Sequence, residues 1–214
     1  MTRSAEPRTH RLPESNRVEA FSDGVLAIAV TLLVLDLHSD FERGDFTHQL
    51  GVRWPSYVAY VAAFLNVSAI WINHHDLFAR IRGVDAGLVS LNLLLLLVAS
   101  LFPWPAAVVS AAQLNGDRHD QIAASLLYAG VGFLVPLTFI AIYSYLARAQ
   151  HLFTDPAHAA YARGARLRAL VSIVVYPITA ALAFVSTDLT LALFIAVPLF
   201  FIAAVFIQER KEAA

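Results

Sequence analysis

The fold is decided by the stretch RVEAFSDGVLAIAVTLLVLDL, residues 17–37. It is long enough to cross a bilayer, because about 20 helical residues at ~1.5 Å each span a hydrocarbon layer about 30 Å thick. Its second half is almost entirely apolar, yet polar residues stand near its start, at Ser22 and Asp23, and in its middle, at Thr31. A carboxylate and a hydroxyl both cost free energy in hydrocarbon. The pattern therefore predicts a membrane helix whose polar residues need partners or water.

The composition of the whole chain indicates a membrane protein. Of its 214 residues, 58% are hydrophobic and 14% are charged, whereas about 25% of the residues of a typical soluble domain are charged. The charges cluster in short segments between long apolar runs, so we predict an all-α, polytopic protein with six transmembrane helices per subunit. The predicted spans are residues 18–37, 54–75, 86–110, 121–147, 167–185 and 189–208. The longest connection, residues 149–165, is predicted to be an interfacial linker.

The distribution of lysine and arginine predicts the orientation of the chain. With six spans, both chain ends lie on one side of the membrane, and the side richer in basic residues is normally cytoplasmic. Twelve basic residues fall on the side of the chain ends: Arg3, Arg8, Arg11, Arg17, Arg80, Arg82, Arg148, Arg163, Arg166, Arg168, Arg210 and Lys211. Three fall on the other side: Arg43, Arg53 and Arg118. We therefore predict cytoplasmic tails at 1–16 and 209–214, a transmembrane domain at 17–208 and a location in the cell membrane.

Several function classes lack the residues that they require. The net charge of −1 argues against a nucleic-acid partner, and the absence of cysteine excludes disulfides and thiolate metal sites. His74 and His75 are adjacent and diverge by about 100° on a helix, so they cannot easily hold one metal ion. The G-x-S-x-G elbow of serine hydrolases is also missing. We therefore predict no enzymatic activity and no cofactor, and nothing indicates a soluble protein partner.

Two common devices of ion channels are absent as well. A re-entrant potassium filter carries a TVGYG-like run, but none occurs here and the last two spans are joined only by residues 186–188. The fourth span has no arginine at every third position, so it is not a voltage sensor. Prolines 136, 177 and 198 interrupt the last three spans, either as ordinary kinks or as breaks around a transporter site.

Polar residues from three spans are predicted to lie at one depth near the cytoplasmic face. Asp23 lies within the first two turns of the first span. The second span returns to that depth at Trp71 and the His74–His75 pair, and the third places Asn92 about 10 Å into the membrane. Indole and imidazole N–H groups are suitable donors for a carboxylate. One interpretation is that this layer is a hydrogen-bonded brace that fixes the packing of the first span. The other is that Asp23 is simply an acid in the first turns, stabilised by the helix dipole, and that Trp71 is an ordinary interfacial tryptophan.

The first span also carries a stripe at helical spacing, formed by Ile28, Thr31, Leu32 and Leu35. The hydroxyl of Thr31 either bonds back to its own helix at the i−4 carbonyl, or faces an axis surrounded by several copies of the helix. In the second case Ile28 and Leu35 form apolar rings around a ring of hydroxyls. Dewetting at such rings is a known way to restrict ion flow.

Two motifs give the chain a family resemblance. The sequence R-x-x-x-F-S-D-G at residues 17–24, followed by AIAVT at 27–31, resembles the signature of the bacterial transmembrane protein 175 potassium channels. The sequence W-x-x-H-H-x-x-F-x-x-I at residues 71–81 is similar to the second block of that family. The two motifs stand in the expected order, and the six-span length fits the whole chain.

The resemblance implies a homotetrameric, potassium-selective or potassium-preferring channel in which the first helix of each subunit lines the pore. It assigns the constriction to Ile28, with Leu32 and Leu35 as further apolar positions of the stripe, and selectivity to Thr31, near which potassium passes transiently. It also implies a structural network between the two motifs, to which the depth argument adds an asparagine: Arg17, Phe21, Ser22, Asp23, Trp71, His74 or His75, and Asn92. Which histidine takes part stays open.

Two other functions are compatible with the residues. A proton-coupled or small-solute transporter could use Asp23 and the His74–His75 pair as a relay, with titration near a histidine pKa of about 6.5. A structural membrane protein without flux is the third possibility. Asp36 and Asp40 at the outer end of the first span could concentrate cations, with no role assigned by the resemblance.

Overall fold

The structure is a computed structural model that describes residues 15–37, 45–155 and 158–212. These residues form eight α-helices: α1 (Asn16–Leu32), α2 (Phe46–Val52), α3 (Trp54–Phe78), α4 (Ala86–Ser100), α5 (Pro103–Asn115), α6 (Arg118–Leu146), α7 (His158–Leu182) and α8 (Thr187–Glu212). A short 3₁₀ turn, Leu33–Asp36, extends α1, and a second one, Gln150–Leu152, follows α6.

Six helical segments in the described ranges are long and apolar enough to cross a membrane: Asn16–Leu35, Trp54–Phe78, Ala86–Asn115, Arg118–Leu146, Tyr161–Leu182 and Thr187–Ile207. This confirms the predicted all-α fold with six spans. The cytoplasmic placement of both chain ends stays a prediction, and most of the predicted N-terminal tail lies outside the described residues.

Two spans differ from their predicted form. The third consists of α4 and α5, which meet at Pro103 because proline lacks an N–H and its ring clashes with the carbonyl four residues earlier. The fifth begins at Tyr161 rather than at residue 167, so the predicted linker is partly helical. Tyr161 and Ala165 are buried at i, i+4 spacing while Arg163 and Arg166 are exposed. These arginines lower the hydropathy of a turn that is nevertheless packed.

α3 lies at the centre of the bundle, where it packs against α1, α5 and α8, while α6 packs against α4, α5 and α7. We call the membrane side where α1 begins and α3 ends the basic end. There an isolated antiparallel bridge joins Ile81, after α3, to Phe153, after α6. The backbone N–H of Arg82 donates to the Leu152 carbonyl at 2.9 Å, which tightens the same junction. The basic end therefore couples the first three spans to the last three.

Asp85 reinforces this junction. Its carboxylate accepts from the Leu88 backbone N–H at 2.9 Å, which caps α4, and from the Tyr145 hydroxyl of α6 at 2.7 Å. Partial desolvation raises the pKa of Asp85, but these hydrogen bonds outweigh it and hold the pKa below its ordinary value. Gly87 lies so close to the Tyr145 ring and hydroxyl that a side chain at that position would collide with them.

Candidate functional site

One face of α1 has no partner among the helices that the structure describes. Ile28, Leu32 and Leu35 expose 60%, 44% and 65% of their surface, and Thr31 beside them is exposed as well. The opposite stripe of the helix, which includes Leu26 and the segment's other buried residues, packs on the subunit. The four residues of the predicted stripe therefore share one face, and that face turns away from the subunit's own helices. We call it the α1 outer face.

The hydroxyl of Thr31 bonds back to its own helix. Its Oγ1 donates to the Ile28 carbonyl at 2.9 Å, an i−3 contact rather than the expected i−4 contact. The back-bond and the exposed position occur together, so the two alternatives for this residue do not exclude each other. Because the hydroxyl hydrogen is engaged, the oxygen can act toward outside groups only as an acceptor, which is the polarity that suits a cation.

The distal part of the outer face is wound more tightly than expected. Residues Leu33–Asp36 form a 3₁₀ turn, in which side chains three positions apart lie directly above one another. Leu32 and Leu35 are thereby aligned along the helix axis. Of the two acids proposed to concentrate cations, Asp40 and the side chain of Asp36 lie outside what the structure describes.

A buried chain of hydrogen bonds fixes the start of α1 to α3 and α4. The amide nitrogen of Asn92 donates to the Ser22 hydroxyl at 2.9 Å, and the amide oxygen lies 3.0 Å from His74 Nε2. Ser22 in turn donates to the Val18 carbonyl at 2.8 Å. All three side chains are almost completely buried. We call the set Ser22–Asn92–His74 the brace. Since the amide nitrogen of Asn92 faces Ser22, its oxygen accepts from Nε2, and the neutral imidazole carries its proton there.

Asp23 of the first motif and Trp71 of the second form another contact, at the edge of the brace. The indole N–H of Trp71 donates to Asp23 Oδ1 at 2.9 Å. His75 stacks on Trp71 with ring centroids 5.5 Å apart, and its Nδ1 lies 3.8 Å from a carboxylate oxygen of Glu19. The two histidines thus have different neighbours, as their 100° separation on α3 requires: His74 joins the brace, whereas His75 is exposed.

The structure does not bring every motif residue to this cluster. Arg17 and Phe21 line a groove between α1 and α4, together with Val89 and Leu93, and Phe21 exposes 56% of its surface. Conversely, Glu19 was not foreseen from the sequence. Its position four residues before Asp23, one helical turn away on the same side, is the signal that could have placed it near the second motif.

Comparison with known proteins places this geometry in a family. Residues 17–103 match the family described as "Endosomal/lysosomal potassium channel TMEM175". A protein of Streptomyces collinus that is named as a potassium channel is 46% identical over 181 residues, which cover 84% of this chain and 87% of that protein. The chain belongs to the TMEM175 family. It is accordingly a multi-pass membrane protein.

Other TMEM175 relatives agree in sequence and in fold. A Chamaesiphon minutus protein named as a potassium channel is 34% identical over 148 residues, covering 67% of this chain and 71% of that one. The crystal structure of a lysosomal potassium-selective channel TMEM175 homolog from Chamaesiphon minutus superimposes with a TM-score of 0.76 at 26% identity. That superposition covers 89% of this chain and 97% of the other. These relatives are named as channels and not as enzymes.

The TMEM175 match to residues 17–103 contains both the α1 outer face and the brace, but a second polar cluster extends beyond it. Asn66 of α3 accepts from the Tyr176 hydroxyl at 2.7 Å, and its amide nitrogen lies 3.1 Å from the Tyr128 hydroxyl. The same nitrogen donates to the Ala62 carbonyl of its own helix and lies 3.4 Å from the Phe194 carbonyl of α8. We call Asn66, Tyr128 and Tyr176 the core cluster. It joins α3 to α6, α7 and α8.

Proposed function

We propose that this protein is a homotetrameric potassium channel of the bacterial inner membrane whose pore is lined by α1 of each subunit. The observation that carries the proposal is the α1 outer face, an apolar stripe with one hydroxyl that none of the described helices covers. One lining helix cannot enclose a pore, so several copies must contribute. The family resemblance supplies the number four, and the names of the relatives supply the permeant ion.

In this proposal the outer face acts through dehydration. Four copies of Ile28, and of Leu32 and Leu35 beyond it, form apolar rings that exclude bulk water. An ion then passes only by shedding part of its hydration shell. Between the rings, the Thr31 oxygens replace some of the lost water, since their hydrogens are engaged by the Ile28 carbonyls. Potassium holds its water more weakly than sodium, so the exchange favours potassium without a re-entrant loop.

The brace has a positional role in this mechanism. A helix turned by one residue moves its face by about 100°, which would carry Thr31 away from the axis. Few side chains of α1 are buried, so hydrophobic packing alone fixes its rotation weakly. The bonds of Ser22 to Asn92 and of Asp23 to Trp71 fix that rotation at the basic end. The positive-inside pattern favours placing this end in the cytoplasm.

The test is potassium flux from liposomes that contain the purified protein. Ile28→Asn is expected to raise conductance and to lower potassium-over-sodium selectivity, because a polar ring no longer excludes water. Thr31→Val is expected to lower potassium conductance. The matched control is Ile178→Asn, a similarly exposed isoleucine at 54% exposure on α7, which is not the proposed pore-lining helix. Unchanged flux in both α1 variants, or a monomer by native mass measurement, would overturn the proposal.

The transporter alternative is not favoured. A relay needs the titratable groups in contact, but Asp23 bonds to Trp71 whereas His74 bonds to Asn92. The relatives above are also named as channels. Asp23→Asn separates the two functions: a transporter would lose pH-coupled, saturable transport, whereas the channel is expected to keep a non-saturating potassium current.

A further inference from the structure

A groove runs along each side of α1, between its buried stripe and its outer face. The groove against α4, which we call the α4 side, is lined by Arg17 and Phe21. The groove against α3, which we call the α3 side, is lined by Asp23 and Trp71. Phe21 and Asp23 are two positions apart and diverge by about 200° around the helix, so the two grooves face in opposite directions. The proposed pore uses the outer face between them and neither groove.

The α4 side exposes an aromatic ring and a cation that have no partner among the described residues. Phe21 exposes 56% of its surface and stacks on no described ring. Arg17, one turn earlier, is exposed and forms no ion pair within the described ranges. Asp85 also lines this groove, but its carboxylate is already bonded by the Leu88 N–H and the Tyr145 hydroxyl. A ring and a positive charge are therefore available here to a group from outside the subunit.

The α3 side exposes groups that are complementary to these. Trp71 and His75 are stacked and both exposed, and Trp71 shows 42% of its surface. Two carboxylates lie beside the stacked pair, since Asp23 accepts from Trp71 and Glu19 lies 3.8 Å from His75. This side therefore offers aromatic faces and negative charge, whereas the α4 side offers an aromatic ring and an arginine.

The complementary groups lie at the same depth in the membrane. Trp71 is level with Asp23 and His75 is level with Glu19, because each pair is in contact. Phe21 stands midway between Glu19 and Asp23 on α1, so it is level with the space between the Trp71 and His75 rings. A rotation about an axis perpendicular to the membrane leaves depth unchanged. In a ring of subunits, each Phe21 is therefore level with the stacked pair of the next subunit.

We propose that the α4 side of each subunit docks on the α3 side of a second copy of this chain, with Phe21 packed on the Trp71–His75 pair and Arg17 paired with the Glu19 carboxylate. Two different surfaces of the same chain meet, and such head-to-tail contacts close into a ring when the rotation fits. Aromatic rings gain from offset or edge-to-face contact with other rings, and opposite charges on the two surfaces fix the register.

This contact accounts for the two motif residues that lie outside the brace, Arg17 and Phe21. The inference rests on the proposed pore for one point, the arrangement of the α1 helices around an axis. It adds the surfaces that join neighbouring subunits, and these surfaces can be tested without measuring flux.

The first test is crosslinking of introduced thiols, which is clean because the chain contains no cysteine. The protein with both Phe21→Cys and His75→Cys is treated in liposomes with a short bismaleimide and run on a denaturing gel. Linked species of three and more subunits are expected. Each single variant can give at most linked pairs, because its one thiol reacts once. The matched control combines Phe21→Cys with Leu167→Cys, at an exposed position of α7, and is also expected to give no species larger than a pair.

The second test measures assembly by native mass spectrometry over a dilution series. Phe21→Ala is expected to raise the protein concentration needed to keep the assembly about tenfold, since it removes an aromatic contact from each junction. Phe206→Ala is the control, at a similarly exposed phenylalanine of α8 with 50% exposure, and is expected to assemble like the wild type. Arg17→Glu is expected to weaken assembly, and adding Glu19→Arg to the same chain is expected to restore it in part.

The outcomes separate this contact from the pore. Only linked pairs from an assembled double-cysteine protein would overturn the contact and leave the pore proposal standing, with Phe21 facing lipid. If that protein does not assemble, wild-type assembly of Phe21→Ala overturns the contact instead. Large linked species without potassium flux would support the contact and overturn the pore, whereas a monomeric wild type would overturn both.

Discussion

The brace and the core cluster are both built on a buried asparagine, yet they are saturated to different degrees. In the core cluster the Asn66 amide nitrogen has three acceptors within 3.4 Å and its oxygen accepts from Tyr176. In the brace Asn92 makes one bond at each end, and the Nδ1 atom of His74 has no partner among the described residues. A saturated buried network makes a structure rigid, whereas one with an open position tolerates rearrangement.

The difference in hydrogen-bond saturation corresponds to a difference in the helices that each network joins. The core cluster joins four helices that already bury broad faces, so its bonds add to packing that exists without them. The brace holds α1, whose buried side is narrow, so its bonds carry a larger part of the attachment. Within membranes helices gain little from the hydrophobic effect, and such side-chain bonds therefore set their relative positions. We infer that the core cluster governs stability and that the brace governs the rotation of α1.

The largest expected effect is that of Asn66→Leu on stability. The substitution leaves the buried hydroxyls of Tyr128 and Tyr176 without their amide partner. Bonds between helices within a membrane are worth about 0.6 kcal/mol each, and Asn66 has three contacts to other helices, so we expect a loss of about 2 kcal/mol in the free energy of unfolding. Denaturant unfolding in detergent micelles measures it.

Asn73→Leu is the matched control on the same helix, because among the described residues the Asn73 amide donates to the Ala69 carbonyl one turn earlier and to no other helix. Its cost is expected to be well below that of Asn66→Leu. Potassium flux per folded protein is expected to be unchanged in Asn66→Leu. Equal destabilisation by the two variants would contradict the role assigned to the core cluster.

A smaller loss of stability and a larger loss of function are expected from Asn92→Leu. The variant removes both bonds of the brace, which within a membrane are worth about 0.6 kcal/mol each. With α1 free to turn, potassium-over-sodium selectivity in liposome flux is expected to fall. Ser90→Ala is the control, since Ser90 is exposed and, within the part of the chain that the structure describes, bonds only to the Ala86 carbonyl of its own helix. Wild-type selectivity in Asn92→Leu would remove the distinction between the two networks.

The smallest effect concerns the junction at the basic end. The pKa of Asp85 is lowered in the folded protein, so the stability that its carboxylate contributes is present above the unfolded pKa of about 3.9 and is lost as the pH falls through the lower, folded pKa. Tyr145→Phe removes one of the bonds and brings the pKa of Asp85 closer to its ordinary value. The variant is expected to be less stable than the wild type at pH 5–7, by under about 1 kcal/mol.

Unfolding midpoints measured from pH 3 to pH 7 test this expectation. The difference between wild type and Tyr145→Phe should shrink toward the acidic end, as protonation of Asp85 removes the contribution of its carboxylate. Tyr57→Phe, at an exposed position on α3, serves as the control. A difference that stays constant over the whole range would show that the Tyr145 hydroxyl contributes to stability independently of the charge of Asp85.

The sequence was sufficient to predict those features that depend on residue spacing along a single helix. Six apolar runs predicted the six spans, and the i, i+3, i+4, i+7 pattern placed Ile28 and Thr31 on one face, where the structure has them. Counting residues from each end of a span brought Asp23, Trp71 and Asn92 to one depth. Depth depends only on the rise per residue, which is nearly constant in a helix.

The contacts that depend on the rotation of one helix relative to another could not be predicted from the sequence. The choice between His74 and His75 rests on the azimuth of α3, which its nearly all-round apolar sequence does not specify. The core cluster joins Asn66 to residues 62 and 110 positions away. No local pattern connects single polar residues over such separations. The early start of α7 was hidden by arginines that point away from the packed side of the helix.

The exposure of the α1 outer face has a consequence for how such proteins diversify. Ile28, Thr31, Leu32 and Leu35 make no contribution to the core of their own subunit. In the proposed channel, mutations at these four positions therefore change which ions pass along the pore and leave the folding of each subunit unaffected. Under that proposal, natural selection can vary ion preference at these positions while the brace and the rest of the scaffold are inherited unchanged.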